Sequence, residues 1–259
     1  HRFHFLLAPM VHWPEVMVTY DEADGILFSA DAFGTFGALN GALFADEVDF
    51  FRDYLDEARR YYCNIVGKYG APVQTLLKKA AGLDVAMICP LHGFVWRKNI
   101  GEFIDRYIHW STYTPEEQGV MIAYASVYGN TEKAVELLAR KLKEKGCPKV
   151  AVTCVQRDDW AEAVEDAFRY GKLVLAAPTY NGFLFPAMRE FIEHLTERNY
   201  QNRQVAFIEN GSWAPAAAKE MKKLLEGCKN VTLGSTVTIR SAMTEENKAQ
   251  LDALADELL

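Results

Sequence analysis

The run Ser126-Val127-Tyr128-Gly129-Asn130-Thr131 stands between a short apolar stretch and an amphipathic one, where a loop would join a strand to a helix. Its chemistry is that of a phosphate cradle. The hydroxyls of Ser126 and Thr131 donate, Gly129 permits a tight turn, and the first amides of the following helix point inward at its positive end. No lysine of a nucleotide triphosphatase loop accompanies them, so a single terminal phosphate fits better than a magnesium-bound triphosphate. The same residues would also make an ordinary polar turn with Asn130 or Thr131 as helix cap. Two later segments follow apolar runs in the same way: Pro178-Thr179-Tyr180-Asn181-Gly182 and Asn210-Gly211-Ser212-Trp213. They bring glycines, backbone amides and two aromatic side chains, Tyr180 and Trp213, against which a flat ring could lie.

A second set of residues has the chemistry of metal ligands. His12 stands in Val11-His12-Trp13-Pro14, Asp31 in Ser29-Ala30-Asp31-Ala32-Phe33-Gly34, and His92 in Pro90-Leu91-His92-Gly93. Imidazole and carboxylate are both common metal ligands. Their wide spacing does not distinguish ligands from strand-end caps and hydrogen-bonded loop residues.

The elements that would position these groups follow from hydrophobic period. From about residue 117 onward, strand and helix alternate five times: 120–126 with 131–145, 150–155 with 158–170, 173–177 with 186–198, 205–209 with 215–226, and 231–239 with 244–258. Strands apolar on both faces, each followed by a helix, predict a doubly wound, flavodoxin-like five-stranded parallel sheet with its ligand beyond the carboxyl ends of the strands. The first part reads differently. A hairpin, 16–20 with 26–29, turns at Asp24-Gly25. A long helix over 46–67 follows, with Phe50, Tyr54, Ala58 and Tyr61 in line, then a helix over 72–81, a strand over 85–89 and a helix over 100–110. So few strands predict part of an α/β sandwich whose remaining strands lie elsewhere. The polar segment 112–119 sets a boundary, with domains at 1–113 and 118–259.

Composition excludes several classes. The 259 residues are 50% hydrophobic and 24% charged, the mix of globular domains rather than of disordered or fibrous chains. With 28 basic against 35 acidic residues the net charge is −7, and no basic run offers a surface to nucleic acid or anionic membranes. No stretch reaches the roughly 18 to 20 apolar residues of a membrane span. Five scattered cysteines without a Cys-x-x-Cys pair read as reduced packing residues, which points to the cytoplasm.

Taken together, the three loops and the three candidate ligands make the chain resemble the flavodiiron proteins. That family joins a metallo-β-lactamase-like αββα domain holding two non-haem irons to a flavodoxin domain holding FMN. The resemblance implies that the loops at 126–131, 178–182 and 210–213 hold FMN, the first taking its phosphate, and that Asp31 bridges the irons with His92 as a ligand. His12 matches a position that binds iron in some members. His1, His4, His109 and His194 match no ligand. Tyr61 and Tyr62 read as helix packing residues, and either, Tyr62 first, is a candidate for a hydroxyl near the metal. The implied reaction is reduction of O2 to water or of NO to N2O, with electrons passing from a donor protein such as rubredoxin through FMN to iron, in a head-to-tail homodimer. The family's His-x-Glu-x-Asp-His motif, which supplies further ligands, is missing from this sequence. The expectation is therefore a carboxyl-terminal part of a longer protein, a partner for a separate amino-terminal fragment, or a chain whose metal function is lost. Two rivals stand beside the reductase: a flavodoxin-like electron carrier with a vestigial metal domain, and a hydrolase of the metallo-β-lactamase class, for which a flavin has no use.

Exposed polar linkers are cut first by proteases. Brief digestion with a nonspecific protease should therefore cleave within 112–119 and release a stable fragment beginning near residue 118. Scattered cleavage through 120–259 at the same rate would contradict the boundary.

Overall fold

A computed structural model describes all residues, 1–259, and the chain divides into two compact units, His1–Thr114 and Pro115–Leu259. No helix is long and apolar enough to cross a membrane.

The first unit contains a four-stranded sheet in the order β1-β2-β3-β4. Strand β1 (Phe3–Leu7), β2 (Met17–Asp21) and β3 (Ile26–Phe28) run antiparallel to their neighbours, and β4 (Met87–Cys89) pairs parallel with β3. The hairpin turn at Gly25 is as expected. Strand β1 is an addition to the sequence reading. Its Phe3, Phe5 and Leu7 face outward while His4 and Leu6 face the body of the unit, the reverse of the usual amphipathic strand.

Cross-strand register puts Phe3, Phe5, Leu7, Met17, Phe28 and Met87 on one face of the sheet, and the first five of these are exposed. On the opposite face Val18, Tyr20, Leu27 and Ile88 are buried under the helical layer. One face of this sheet is thus covered and the other bare.

The expected long helix over 46–67 is broken into short pieces. Helix α1 (Phe50–Asp53) ends at Tyr54, α2 (Leu55–Tyr61) runs into a π-helical turn at Tyr62–Val66, and a 3-10 turn at Gly67–Tyr69 leads into α3 (Gly70–Ala80). The adjacent rings of Tyr61 and Tyr62 both go inward. Tyr61 packs edge-on against Phe36 and Tyr62 against Tyr107, and the extra residue of a π turn lets the chain leave that point on a new face. Helix α4 (Ile100–Ser111) closes the unit. Its core is unusually aromatic: Trp96 stacks on Phe103 at 4.1 Å, and Phe50 meets Trp96 edge-on at 4.5 Å.

The second unit has the expected alternation. Strands β5 (Glu117–Tyr124), β6 (Val150–Cys154), β7 (Tyr170–Tyr180), β9 (Arg203–Asn210) and β10 (Val231–Ile239) form a parallel sheet in the order β10-β9-β7-β5-β6. Strand β8 (Phe183–Leu184) adds a short antiparallel pairing to the end of β7, which is longer than its apolar run suggested. Helices α5 (Asn130–Glu144), α6 (Trp160–Arg169), α7 (Pro186–Glu197), α8 (Ala217–Leu225) and α9 (Glu245–Glu257) connect the strands. In α6 the buried stripe is Ala163, Val164, Ala167 and Phe168. Trp160 and Ala161 lie at its edge, Trp160 stacking on His194 at 4.2 Å.

The bare face of the first sheet has a solution consequence, because exposed apolar patches of this kind drive association. The chain alone should bind a hydrophobic dye and self-associate in sedimentation. Phe5→Ser combined with Leu7→Thr should lower both while leaving the far-UV circular dichroism unchanged. Unaltered dye binding in that variant would show that the face is not the sticky surface.

Candidate functional site

In the second unit the chain order reverses around β5. Strand β6 lies on one side of it and β7 on the other, so the loops leaving β5 and β7 diverge and open a crevice. The crevice is a cleft of about 230 Å³ lined by Ser126, Val127, Tyr128, Asn130 and Thr131 from the first loop, Pro178, Thr179 and Tyr180 from the second, and Asn210, Gly211 and Ser212 from the third. The three segments singled out by sequence therefore meet. Gly129, Asn181, Gly182 and Trp213 belong to the same loops without lining the cleft.

The first loop has the free amides and the tight turn that an anion cradle needs. Gly129 sits at φ +80° as the residue before α5, a conformation that a side chain would strain. The amides of Val127 through Thr131 donate to no other group of the chain, as expected at a helix start, where the first N–H groups lack intrahelical partners. Ser126 Oγ accepts from the Glu132 amide at 3.3 Å, which fixes the loop against the helix. Thr131 is buried at the floor.

The other walls suit a flat ring. Tyr128 is 91% exposed and Trp213 85% exposed, large aromatic surfaces that folding alone leaves in water, and Tyr180 is half-exposed with its ring edge-on to Phe185. The second and third loops are bound together. Thr179 Oγ1 accepts from the amide of Ala216 at 2.9 Å, and Asn210 is doubly bonded to the backbone of Ser241, at 2.9 and 3.1 Å. Ser241 itself lines the cleft. It lies past β10, in a stretch without glycine or aromatic residues, and only the pairing of β10 with β9 brings it here.

In the first unit the three candidate ligands also meet, at one end of the sheet. Asp31 is buried, its Oδ2 3.3 Å from His12 Nε2 and its Oδ1 3.2 Å from His92 Nε2. Each carboxylate oxygen thus faces a different imidazole. The Asp31 and His92 loops continue the parallel pairing of β3 with β4: the Leu91 amide donates to Ala30 O at 2.9 Å and the Thr35 amide to His92 O at 3.3 Å. Gly93, at φ +81°, is required by the same approach, since a Cβ there would stand 2.7 Å from that of Thr35.

Asp31 lies between two residues in left-handed conformation, Ala30 at φ 52° and Phe33 at φ 68°. The Phe33 amide is held by the Tyr107 hydroxyl at 2.6 Å, and the Phe33 ring packs on Tyr107 at 4.5 Å. Ser29 Oγ donates to Ala32 O at 2.7 Å. A backbone outlier persists where its surroundings over-determine it, and here they do.

Tyr62 is not beside this cluster; it is buried against Tyr107 and Trp110. The ring next to His92 is that of Tyr61, at 5.7 Å. Burial, with a smaller contribution from the Asp31 charge, raises the Tyr61 hydroxyl well above its ordinary pKa and keeps it protonated. The other histidines have local partners: His1 with Asp21, His4 with Glu22, His109 with Asp105 O and His194 with Trp160.

Comparison with known proteins matches each unit to a family model. The model of the Flavodoxin domain matches residues 121–234, and that of the ODP family beta lactamase matches residues 1–93. The anaerobic nitric oxide reductase flavorubredoxin of Aeromonas hydrophila is 30% identical over 225 residues, 85% of this chain and 45% of that protein. A single-site variant of the flavo di-iron protein of Thermotoga maritima superposes with a TM-score of 0.85 at 26% identity, covering 99% of this chain and 64% of that one. The rubredoxin oxygen:oxidoreductase of Desulfovibrio gigas shares the fold, with a TM-score of 0.89 at 24% identity, again over 99% of this chain and 64% of that one. The chain spans about half the length of the curated relatives it matches. The chain thus carries a β-lactamase-like unit followed by a flavodoxin domain, and its fold is that of the flavodiiron proteins on which it superposes.

Proposed function

We propose that the chain is part of an oxidoreductase that reduces O2 to water, NO to N2O, or both, drawing electrons from a rubredoxin-type donor protein through FMN to a pair of non-haem irons. The observation that carries the reading is the Asp31 carboxylate, which offers one oxygen toward each of two separate imidazoles. A lone structural ion pair needs one such partner. Two partners on opposite oxygens would let Asp31 serve two metals, with His12 and His92 as further ligands.

FMN, when bound, supplies electrons singly, and iron supplies a place where a diatomic molecule is reduced. The chain's own residues bind and orient. Ser126, Thr131 and the free amides of Val127 to Thr131 would hold the phosphate. Tyr180 and Trp213 would flank the ring, with Pro178, Thr179, Asn181, Gly182, Asn210, Gly211 and Ser212 shaping its edge. His12, Asp31 and His92 would hold iron, and Tyr61 would keep a protonated hydroxyl beside His92. One imidazole and one carboxylate oxygen leave each metal positions for further donors and for the substrate. A head-to-tail homodimer, bringing the flavin of one copy to the metals of another, belongs to the same proposal.

A second reading is favoured by the small donor set: a flavodoxin-like electron carrier without working metals. Iron content separates the two. After anaerobic incubation with Fe(II) and desalting, the protein should retain iron that Asp31→Ala abolishes, with FMN content unchanged because the flavin loops lie in the other unit. Iron absent from the parent protein leaves the carrier. Iron fully retained by Asp31→Ala would remove this aspartate from the metal site.

The flavin assignment has its own test. The purified protein should be yellow and release FMN, not FAD, on acid treatment. Thr131→Val, which keeps shape and removes one hydroxyl, should weaken FMN by about 1–3 kcal/mol, the usual loss of a charge-assisted hydrogen bond. A protein that neither carries nor takes up FMN in a fluorescence titration would overturn the assignment.

A further inference from the structure

The loop after β6 does not line the cleft, yet two consecutive residues of it grip the phosphate loop from the side. Gln156 Oε1 accepts from the Ser126 amide at 2.6 Å. Arg157 Nη2 donates to Glu132 Oε1 at 2.6 Å and lies 3.1 Å from the Tyr124 hydroxyl, which itself donates to the same carboxylate oxygen at 2.6 Å. The loop is held in place locally, with the Arg157 amide on Cys154 O at 3.0 Å and Asp158 Oδ2 accepting from the Cys154 amide at 2.7 Å.

Glu132 is the third residue of α5 and follows Thr131 directly. A carboxylate in a first turn favours the helix dipole, but here it shares that helix end with the loop that would take a dianionic phosphate. The Tyr124 hydrogen bond first, and Arg157 second, hold the Glu132 carboxyl below the usual range, so at neutral pH it carries a full negative charge beside the anion's place. Arg157 is the cation whose bond to that charge the structure records. Arg157 is exposed and Glu132 partly so, and a pair this open to solvent contributes little to folding. Its placement makes sense instead as electrostatics at a binding loop.

We propose that Arg157 is a positioning residue for the flavin phosphate: it neutralises Glu132 and turns its carboxylate toward Tyr124, so that the amides of the 126–131 loop present a net positive site. This rests on the reading of the cleft as an FMN site. It also assigns the selectivity for a phosphorylated over an unphosphorylated flavin to a loop outside the cleft. Removing Arg157 would leave an un-neutralised carboxylate at the helix end that takes the phosphate, a like-charge cost that the uncharged tail of riboflavin does not feel.

The test measures dissociation constants of the flavin-free protein for FMN and for riboflavin by quenching of flavin fluorescence, at low salt and at about 0.5 M salt. Arg157→Met should weaken FMN by about five- to tenfold and riboflavin by less than twofold, with the FMN loss shrinking at high salt as the charges are screened. Arg157→Lys should recover most of the affinity. Glu132→Gln combined with Arg157→Met should return FMN binding to near that of the parent, because the carboxylate to be neutralised is gone. Equal losses for FMN and riboflavin, or a double variant as weak as Arg157→Met alone, would reduce Arg157 to a brace and overturn the proposal. A parent protein that binds neither flavin would overturn the underlying flavin reading instead, and one that binds both equally would overturn the phosphate assignment on which Arg157 depends.

Discussion

Strand β5 is buried on both faces from Gly119 to Tyr124, and this is the constraint from which the second unit's site follows. A strand enclosed between neighbours and helices has no side chain to spare for a ligand along its length. Its only free groups are those beyond its carboxyl end. Because β6 and β7 pair with opposite edges of β5, the loops at that end part from one another, and the gap they leave is the cleft. The first unit obeys the same constraint on a smaller scale. Strand β4 is three residues long and pairs parallel with β3, and the loops just beyond the two strands carry His92 and Asp31.

Much of the flavodoxin-like unit was legible because buried parallel strands leave unmistakable apolar runs and the helices between them keep a clean period. The three cleft loops were legible for a different reason: Gly129, Gly182, Gly211 and the exposed rings of Tyr180 and Trp213 are residue types that a plain connection does not need. Ser241, Gln156 and Arg157 were not legible. Each is an unremarkable polar residue whose role depends on which strands are neighbours, and sheet order is a fact of three dimensions. The His12–Asp31–His92 cluster lies between these cases. His12, Asp31 and His92 are far apart in sequence, and residue chemistry alone favoured caps and loop residues over ligands until the family resemblance singled them out. The structure then places each imidazole within 3.3 Å of an oxygen of Asp31.

The misreadings in the first unit share a physical cause. Period analysis assumes that an element has one buried face and one wet face. Strand β1 turns its phenylalanines outward, and the stretch over 46–67 has too many buried aromatic residues to fit one helical stripe, so the chain breaks its helix to place them. The aromatic core that results does more than fill space. Tyr107, fully buried, spends its hydroxyl on the backbone amide of Phe33, an amide that the left-handed turn there would otherwise leave without a partner.

That bond connects packing to chemistry. The carboxylate of Asp31 must stay between two imidazoles on different loops, and a flexible turn would let it swing to one of them or out to water. Instead Tyr107 from α4 grips the turn on one side, Ser29 and Leu91 tie it to itself and to the His92 loop, and Tyr61 closes over His92. A metal site gains affinity when its ligands are held before the metal arrives, because the ordering cost has been met in folding. The strain of two left-handed residues around Asp31 is the local cost of that arrangement, and the density of the aromatic core is what allows the unit to sustain it.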